Sequence, residues 1–146
     1  MKVAFMSRQD KAYQTQWVSQ FYAAAELTRR GYQVAFTLGN AKDVDLMVIS
    51  PNRVQFKVDV KGQSSRNFWL VQRRGDDPNL YFILVYIPGV GKPPQYFILS
   101  CAEMMAKREE YQRYIEARSG KYRDDLGGMN WGTALDYENR WEILPE

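Results

Sequence analysis

Along this chain the apolar positions first recur every three or four residues, then every second residue, and then in short unbroken runs. From Trp17 to Arg30 the residues Trp17, Phe21, Ala24, Ala25 and Thr28 keep the spacing that puts side chains on one face of an α-helix. The segment closes on Arg29-Arg30-Gly31, with cations at the negative end of the helix and a glycine to leave it. Tyr32 to Leu38 changes period: Tyr32, Val34, Phe36 and Leu38 are apolar and the residues between them are small or polar, as in a half-covered strand. Gly39-Asn40 follows as a turn. Leu46-Met47-Val48-Ile49 is apolar throughout, between Asp45 and Ser50-Pro51-Asn52, the pattern of a short strand covered on both faces. In Val54 to Lys61 the alternation is cleanest, with Val54, Phe56, Val58 and Val60 on one side and Gln55, Lys57, Asp59 and Lys61 on the other; Gly62 ends it.

Two further apolar runs, Tyr81 to Ile87 and Tyr96 to Leu99, read as buried strands joined by the turn-rich Pro88–Pro94. The glycines and lysine of that turn lack the spacing of a phosphate-binding loop. Ser100 followed by Glu103 is a capping box for a second helix ending near Arg118. Gly127-Gly128 breaks the chain, and Trp131, Leu135, Trp141, Ile143 and Leu144 are expected to dock on the core. The order is a helix, a meander of three strands, two more strands and a second helix. It predicts an α/β fold with a mixed central sheet flanked by helices. A chain of 146 residues fits one domain, 1–146, with a core of about 17–118 and a docking tail, 127–146.

Composition narrows the chemistry. There is no histidine, which excludes imidazole bases, histidine metal ligands and the serine and cysteine triads. Cys101 is the only cysteine, so neither an intrachain disulfide nor a multi-cysteine zinc site can form. The net charge of +3 is modest, but Arg53 to Arg74 gathers Arg53, Lys57, Lys61, Arg66, Arg73 and Arg74 against Asp59 alone. Such a stretch attracts a polyanion through phosphate contacts and counterion release, and the aromatic tail offers a surface for a homodimer. The N-terminal residues lack a secretory pattern, and the longest apolar run, Leu80 to Ile87, is too short to span a bilayer; a cytoplasmic protein with no membrane partner is expected.

Without histidine, a hydrolytic site must be built from carboxylates, lysine and a metal. Asp59 and Lys61 lie two apart on a strand and emerge on the same face. Asp45 opens the neighbouring strand, so pairing of the two strands would bring two carboxylates together; Asp43 is a rival for its place. Two close carboxylates repel unless a cation sits between them, and Mg²⁺ (or Mn²⁺) accepts one or two carboxylates together with waters and phosphate oxygens. Glu26, on the first helix, is a candidate third oxygen. A bound ion activates water and neutralises phosphate charge, and Lys61 would orient the nucleophile.

A helix bearing Glu26, then Asp45, then Val58-Asp59-Val60-Lys61-Gly62 resembles the PD-(D/E)xK nuclease-like superfamily, particularly its restriction-endonuclease-like and Holliday-junction-resolvase-like members. The resemblance covers roughly Trp17 to Leu99. It implies an αβββαβ core, Mg²⁺ dependence and DNA as substrate. By position, Asp45 and Asp59 take the roles of the two acids, Lys61 that of the lysine, and Glu26 that of the helix glutamate. The Val60 carbonyl becomes an additional metal ligand, and Val44 stands where the motif name has proline. Lys57, Gln63, Arg66, Arg73 and Arg74 are the expected DNA contacts. The expected function is therefore a metal-dependent deoxyribonuclease, with a catalytically inactive DNA-binding or assembly subunit on the same fold as the alternative.

Overall fold

The computed structural model describes residues 7–146. Helix α1, Arg8–Arg29, starts well before the apolar period does, because a capping box at Ser7 and Asp10 sets its N-terminus. Its first turns are exposed and so leave no hydrophobic signature. Its buried residues are Ser19, Gln20, Ala23, Ala24 and Leu27. This face is rotated away from the aromatic stripe that the sequence pattern picked out; Phe21 is 58% exposed and instead joins Tyr13, Trp17 and Phe36 in a chain of ring contacts along the helix flank. Gly31, at φ +94°, takes the left-handed conformation that turns the chain back toward the sheet.

Strands β1 (Gln33–Phe36), β2 (Leu46–Ile49) and β3 (Gln55–Gln63) form an antiparallel meander. β4 (Phe68–Leu70) leaves the main sheet, after which β5 (Leu80–Tyr86) returns parallel to β3 and β6 (Gln95–Ser100) closes the sheet antiparallel to β5. The strand order is β1-β2-β3-β5-β6. Helix α2, Cys101–Ser119, begins at the expected capping box, with Ser100 Oγ accepting the Glu103 N–H at 3.1 Å. The protein is thus α/β, a mixed five-stranded sheet with helices on its faces.

Alternation along the strands divides the interior into two apolar layers. Val58, Val60, Ile83, Val85 and Ile98 pack against Ala23, Ala24 and Leu27 of α1 on one face, joined by Trp141 and Leu144 of the tail. Phe82, Leu84, Phe97 and Leu99 pack on the other face against Met104 of α2, with Trp69, Val71 and Met129. Trp69 and Met129 come from a two-stranded ribbon in which β4 pairs antiparallel with β7, Gly128–Asn130, and Val71 follows directly after β4. Gly128 is required there, since a Cβ would stand 1.9 Å from the Trp69 carbonyl oxygen.

The link from β3 to β5 is where the fold departs from the expected αβββαβ order. Residues 64–79 hold β4 and extended chain, and the second helix follows β6 instead. The cause is local: backbone hydrogen bonds from Val71 N to Gly127 O and from Trp131 N to Asn67 O draw this segment into the ribbon. Met47 and Val54 are each 44% exposed, so β2 is covered on one face only and the regular part of β3 begins after Val54. Leu135, expected to dock, is 48% exposed. No helix among the described residues is long and apolar enough to cross a membrane.

Candidate active site at the end of β3

β2 pairs with β3 only as far as Leu46 opposite Val58. Beyond that point the facing edge of β3 has no strand partner, and side chains take over its backbone groups. Asp45 Oδ2 accepts the Val60 N–H at 2.8 Å. Gln16 of α1 spans the next step, its Nε2 donating to the Val60 carbonyl at 2.7 Å while its Oε1 accepts the Gly62 N–H at 3.1 Å. Gln20, one turn along, donates to Asp45 Oδ1 at 3.3 Å. Helix and strand come this close because residue 62 is glycine: a Cβ there would lie 2.1 Å from Ser19 Oγ and 3.0 Å from the Thr15 carbonyl oxygen.

Asp59 points from β3 to the α2 side of the sheet and is 1% exposed. Lys61 Nζ approaches its Oδ1 at 3.1 Å, and an Arg74 terminal nitrogen lies 2.5 Å from its Oδ2. The lysine contact is an ion pair without hydrogen-bond alignment, so Oδ1 has no directed donor. Arg74 comes from the chain between β4 and β5. It also donates to the Asp43 carbonyl at 2.9 Å, and its guanidinium lies 5.1 Å from the ring centre of Phe82, the cross-strand neighbour of Asp59.

Burial pushes the Asp59 carboxyl up to about 6; Lys61 and Arg74 pull it down and Asp45 adds to the rise. Burial likewise raises Asp45, against the Val60 N–H, Lys61 and Arg74, which favour its ionised form. The same two cations act on both carboxylates. Asp45, Asp59, Lys61 and Arg74 therefore form one electrostatic unit, although 14 positions separate the two acids.

The structure does not bring Glu26 into this unit. Its carboxylate is paired with Arg29 at 3.6 Å and Arg30 at 3.0 Å, beside Tyr22, Pro93, Pro94 and Tyr96. It lies six residues past Gln20, about 9 Å further along the helix axis at ~1.5 Å per residue. The residues of α1 that reach the site are Gln16 and Gln20. The stripe Gln16, Gln20, Ala23, Leu27, spaced by four, three and four, was the available signal, and two polar members masked it.

The expected DNA contacts are dispersed. Lys57 is paired with Asp77, Gln63 Nε2 donates to the Phe68 carbonyl at 2.6 Å, and Arg66 lies over Tyr86 and Trp131. Arg73 reaches Gln112 and Asp124, while Arg74 belongs to the carboxylate cluster. Asp43 contributes its backbone carbonyl and not its side chain to that cluster's hydrogen bonds.

Among the described residues, no three histidine, cysteine or acidic side chains gather as a ready-made metal site. A Mg²⁺ site needs fewer, since the ion takes one or two carboxylates and fills the remaining positions with water and substrate oxygens. Asp45 and Asp59 suit such an ion in kind. The Asp59 Oδ1 lacks a directed donor, and the Val60 carbonyl keeps a second lone pair beside Gln16. No protein-family model, curated protein or solved structure matches the chain.

Proposed function

We propose that this chain is a metal-dependent nuclease that hydrolyses DNA phosphodiester bonds, with Asp45 and Asp59 holding Mg²⁺ or Mn²⁺. The observation that carries the reading is the tie between Asp45 Oδ2 and the Val60 N–H, which holds the first acid against the strand that bears Asp59 and Lys61. When bound, the ion supplies an activated water and neutralises charge that grows on the phosphate. Lys61, with Nζ beside Asp59 Oδ1, is placed to orient the nucleophile and to stabilise that charge. Gln16 and Gln20 keep Val60, Gly62 and Asp45 in register, so the carboxylates need not be ordered when substrate arrives. Of the basic stretch Arg53–Arg74, Lys61 and Arg74 lie at the carboxylates and are the cations that a polyanionic substrate would meet there.

The test is cleavage of plasmid, linear and branched DNA with Mg²⁺ or Mn²⁺. Asp45→Ala, Asp59→Ala and Lys61→Ala are each expected to lose on the order of 10²-fold or more, the scale of losing one preorganised electrostatic contact. Inactive wild-type protein, or variants that cut as well as it does, would refute the reading. One observation favours a second reading, a DNA-binding subunit without catalysis: Asp59 is already neutralised by Lys61 and Arg74. Salt-sensitive DNA binding with no cutting under any divalent ion would decide for it.

A further inference from the structure

We infer that Arg74 is an internal stand-in for the divalent ion: it competes with the metal for Asp59, and once displaced it binds a phosphate oxygen of the DNA backbone. This rests on the nuclease reading and deepens it. Arg74 is fastened by three contacts, to Asp59 Oδ2, to the Asp43 carbonyl and to the face of Phe82, and the first holds the same carboxylate whose other oxygen, Oδ1, has no directed donor and would meet the ion.

Charge drives the competition. Two carboxylates and two cations leave the cluster neutral, and a divalent ion added beside a carboxylate that is 1% exposed would leave two uncompensated positive charges. Burying such an excess is costly; the departure of one resident cation halves it, and a phosphate of the substrate offsets the remaining charge. Lys61 sits on the same strand as Asp59, two residues away, and its reach is set by that strand. Arg74 lies on the irregular chain between β4 and β5, and its side chain is 17% exposed. Its base is held independently of its guanidinium, so the tip can exchange contacts without moving the backbone: the Arg74 N–H meets Met105 Sδ at 3.5 Å, and Val71, three residues earlier, is bound through its carbonyl to Arg108 Nε at 2.6 Å. A guanidinium on such a pivot, released next to a metal-bound phosphate, has the planar donor fork that phosphate oxygens accept.

Metal and DNA should therefore help each other bind, because each takes one of the two ends of the same exchange. Mn²⁺ affinity of the DNA-free protein, followed by the free-ion electron paramagnetic resonance signal, tests the first half. Arg74→Gln is expected to bind Mn²⁺ about tenfold more tightly than wild type, about 1.4 kcal/mol, and Arg74→Lys, which keeps the charge, to stay close to wild type. The second half is read by the anisotropy of a labelled duplex with Ca²⁺ or with chelator. Ca²⁺ should strengthen wild-type DNA binding by about tenfold more than it strengthens that of Arg74→Gln, which keeps only the ion's own contact with the phosphate; equal strengthening in both would overturn the second half. Should the glutamine variant fold poorly, a Mg²⁺ titration of wild type followed at the Arg74 Nε–H resonance reports the release without any substitution. Equal Mn²⁺ affinity in wild type and Arg74→Gln, or an Arg74 resonance indifferent to Mg²⁺, overturns the exchange but leaves a cutting, metal-binding wild type as a nuclease. Wild-type protein that binds no Mn²⁺ at all overturns both.

Discussion

Replacing Gly62 by alanine adds one methyl at the tightest point between α1 and β3. The new carbon would stand 2.1 Å from Ser19 Oγ, 2.9 Å from Ser19 Cβ and 3.0 Å from the Thr15 carbonyl oxygen, where ordinary contact begins near 3.4 Å. Rotation of Ser19 relieves only the first of these. The other two require the helix to retreat by several tenths of an ångström, a case of overpacking that costs about 1–3 kcal/mol. With a urea slope of about 2 kcal/mol per molar for a domain of this size, the midpoint should fall by roughly 0.5–1.5 M. A double-mutant cycle isolates the cause. Ser19→Ala removes the nearest clashing atom, at the cost of its hydrogen bond to the Thr15 carbonyl, about 1 kcal/mol. If the close approach is the origin, Ser19→Ala and Gly62→Ala together should cost about 1 kcal/mol less than their separate costs added. Cleavage should also drop in Gly62→Ala, because the same retreat carries Gln16 and Gln20 away from Val60 and Asp45. A Gly62→Ala variant within about 0.5 kcal/mol of wild type, or costs that simply add, would refute the argument.

Asp59→Asn tests the sign of the burial effect. With the folded carboxyl at about 6 against an ordinary 3.8, protonation of Asp59 favours the fold below pH 4 and that contribution is lost as pH rises through 6. The variant should therefore match wild type near pH 4 and exceed it by about 3 kcal/mol at pH 8 in urea unfolding; a less stable variant at pH 8 would show that the ion pairs outweigh desolvation. Arg108 is 2% exposed and donates to the Val71 and Asp124 carbonyls. Arg108→Met should lower stability by about 2–5 kcal/mol and open residues 71–79 to protease; an unchanged melting temperature would sink this. Glu26→Ala should cut DNA within about twofold of wild type, since Glu26 is paired with Arg29 and Arg30 away from the carboxylates and a partly exposed helix ion pair is worth only a few tenths of a kcal/mol. A loss matching that of Asp59→Ala would return Glu26 to the site.

The main sheet was legible because its strands obey simple periods. Leu46–Ile49 coincides with the apolar run, and Asp59 and Lys61 share a face, as alternation requires. The second helix was announced by its capping box. What stayed hidden had no period to show. β4 and β7 are three residues each, too short to alternate, and exist because they pair with one another across the chain. Helix α1 was found but turned too far: Ala24 lies on both the expected and the observed face, but bulky Trp17 and Phe21 outweighed Gln20, Ala23 and Leu27 in the pattern, while packing against β3 selected the latter. That rotation concealed Gln16 and Gln20, while Glu26 had been put forward by the resemblance and not by the helix pattern. Arg74 was visible only as one more cation in a basic stretch, because nothing local ties it to an acid 15 positions earlier.

The pairing of β4 with β7 has a consequence for the order in which the molecule matures. Trp69 lies opposite Met129, and Val71 depends on Gly127 and Arg108. During synthesis the first helix and the meander can condense as soon as they leave the ribosome, but the segment that carries Arg74 has to wait about sixty residues for its partner. Asp59 would meanwhile be open to solvent, with Lys61 as its only cation. A nascent chain halted before residue 124 should thus lack Met129 on one face of the sheet and Trp141 and Leu144 on the other, with Asp59 and Lys61 in place but the segment that carries Arg74 not yet locked.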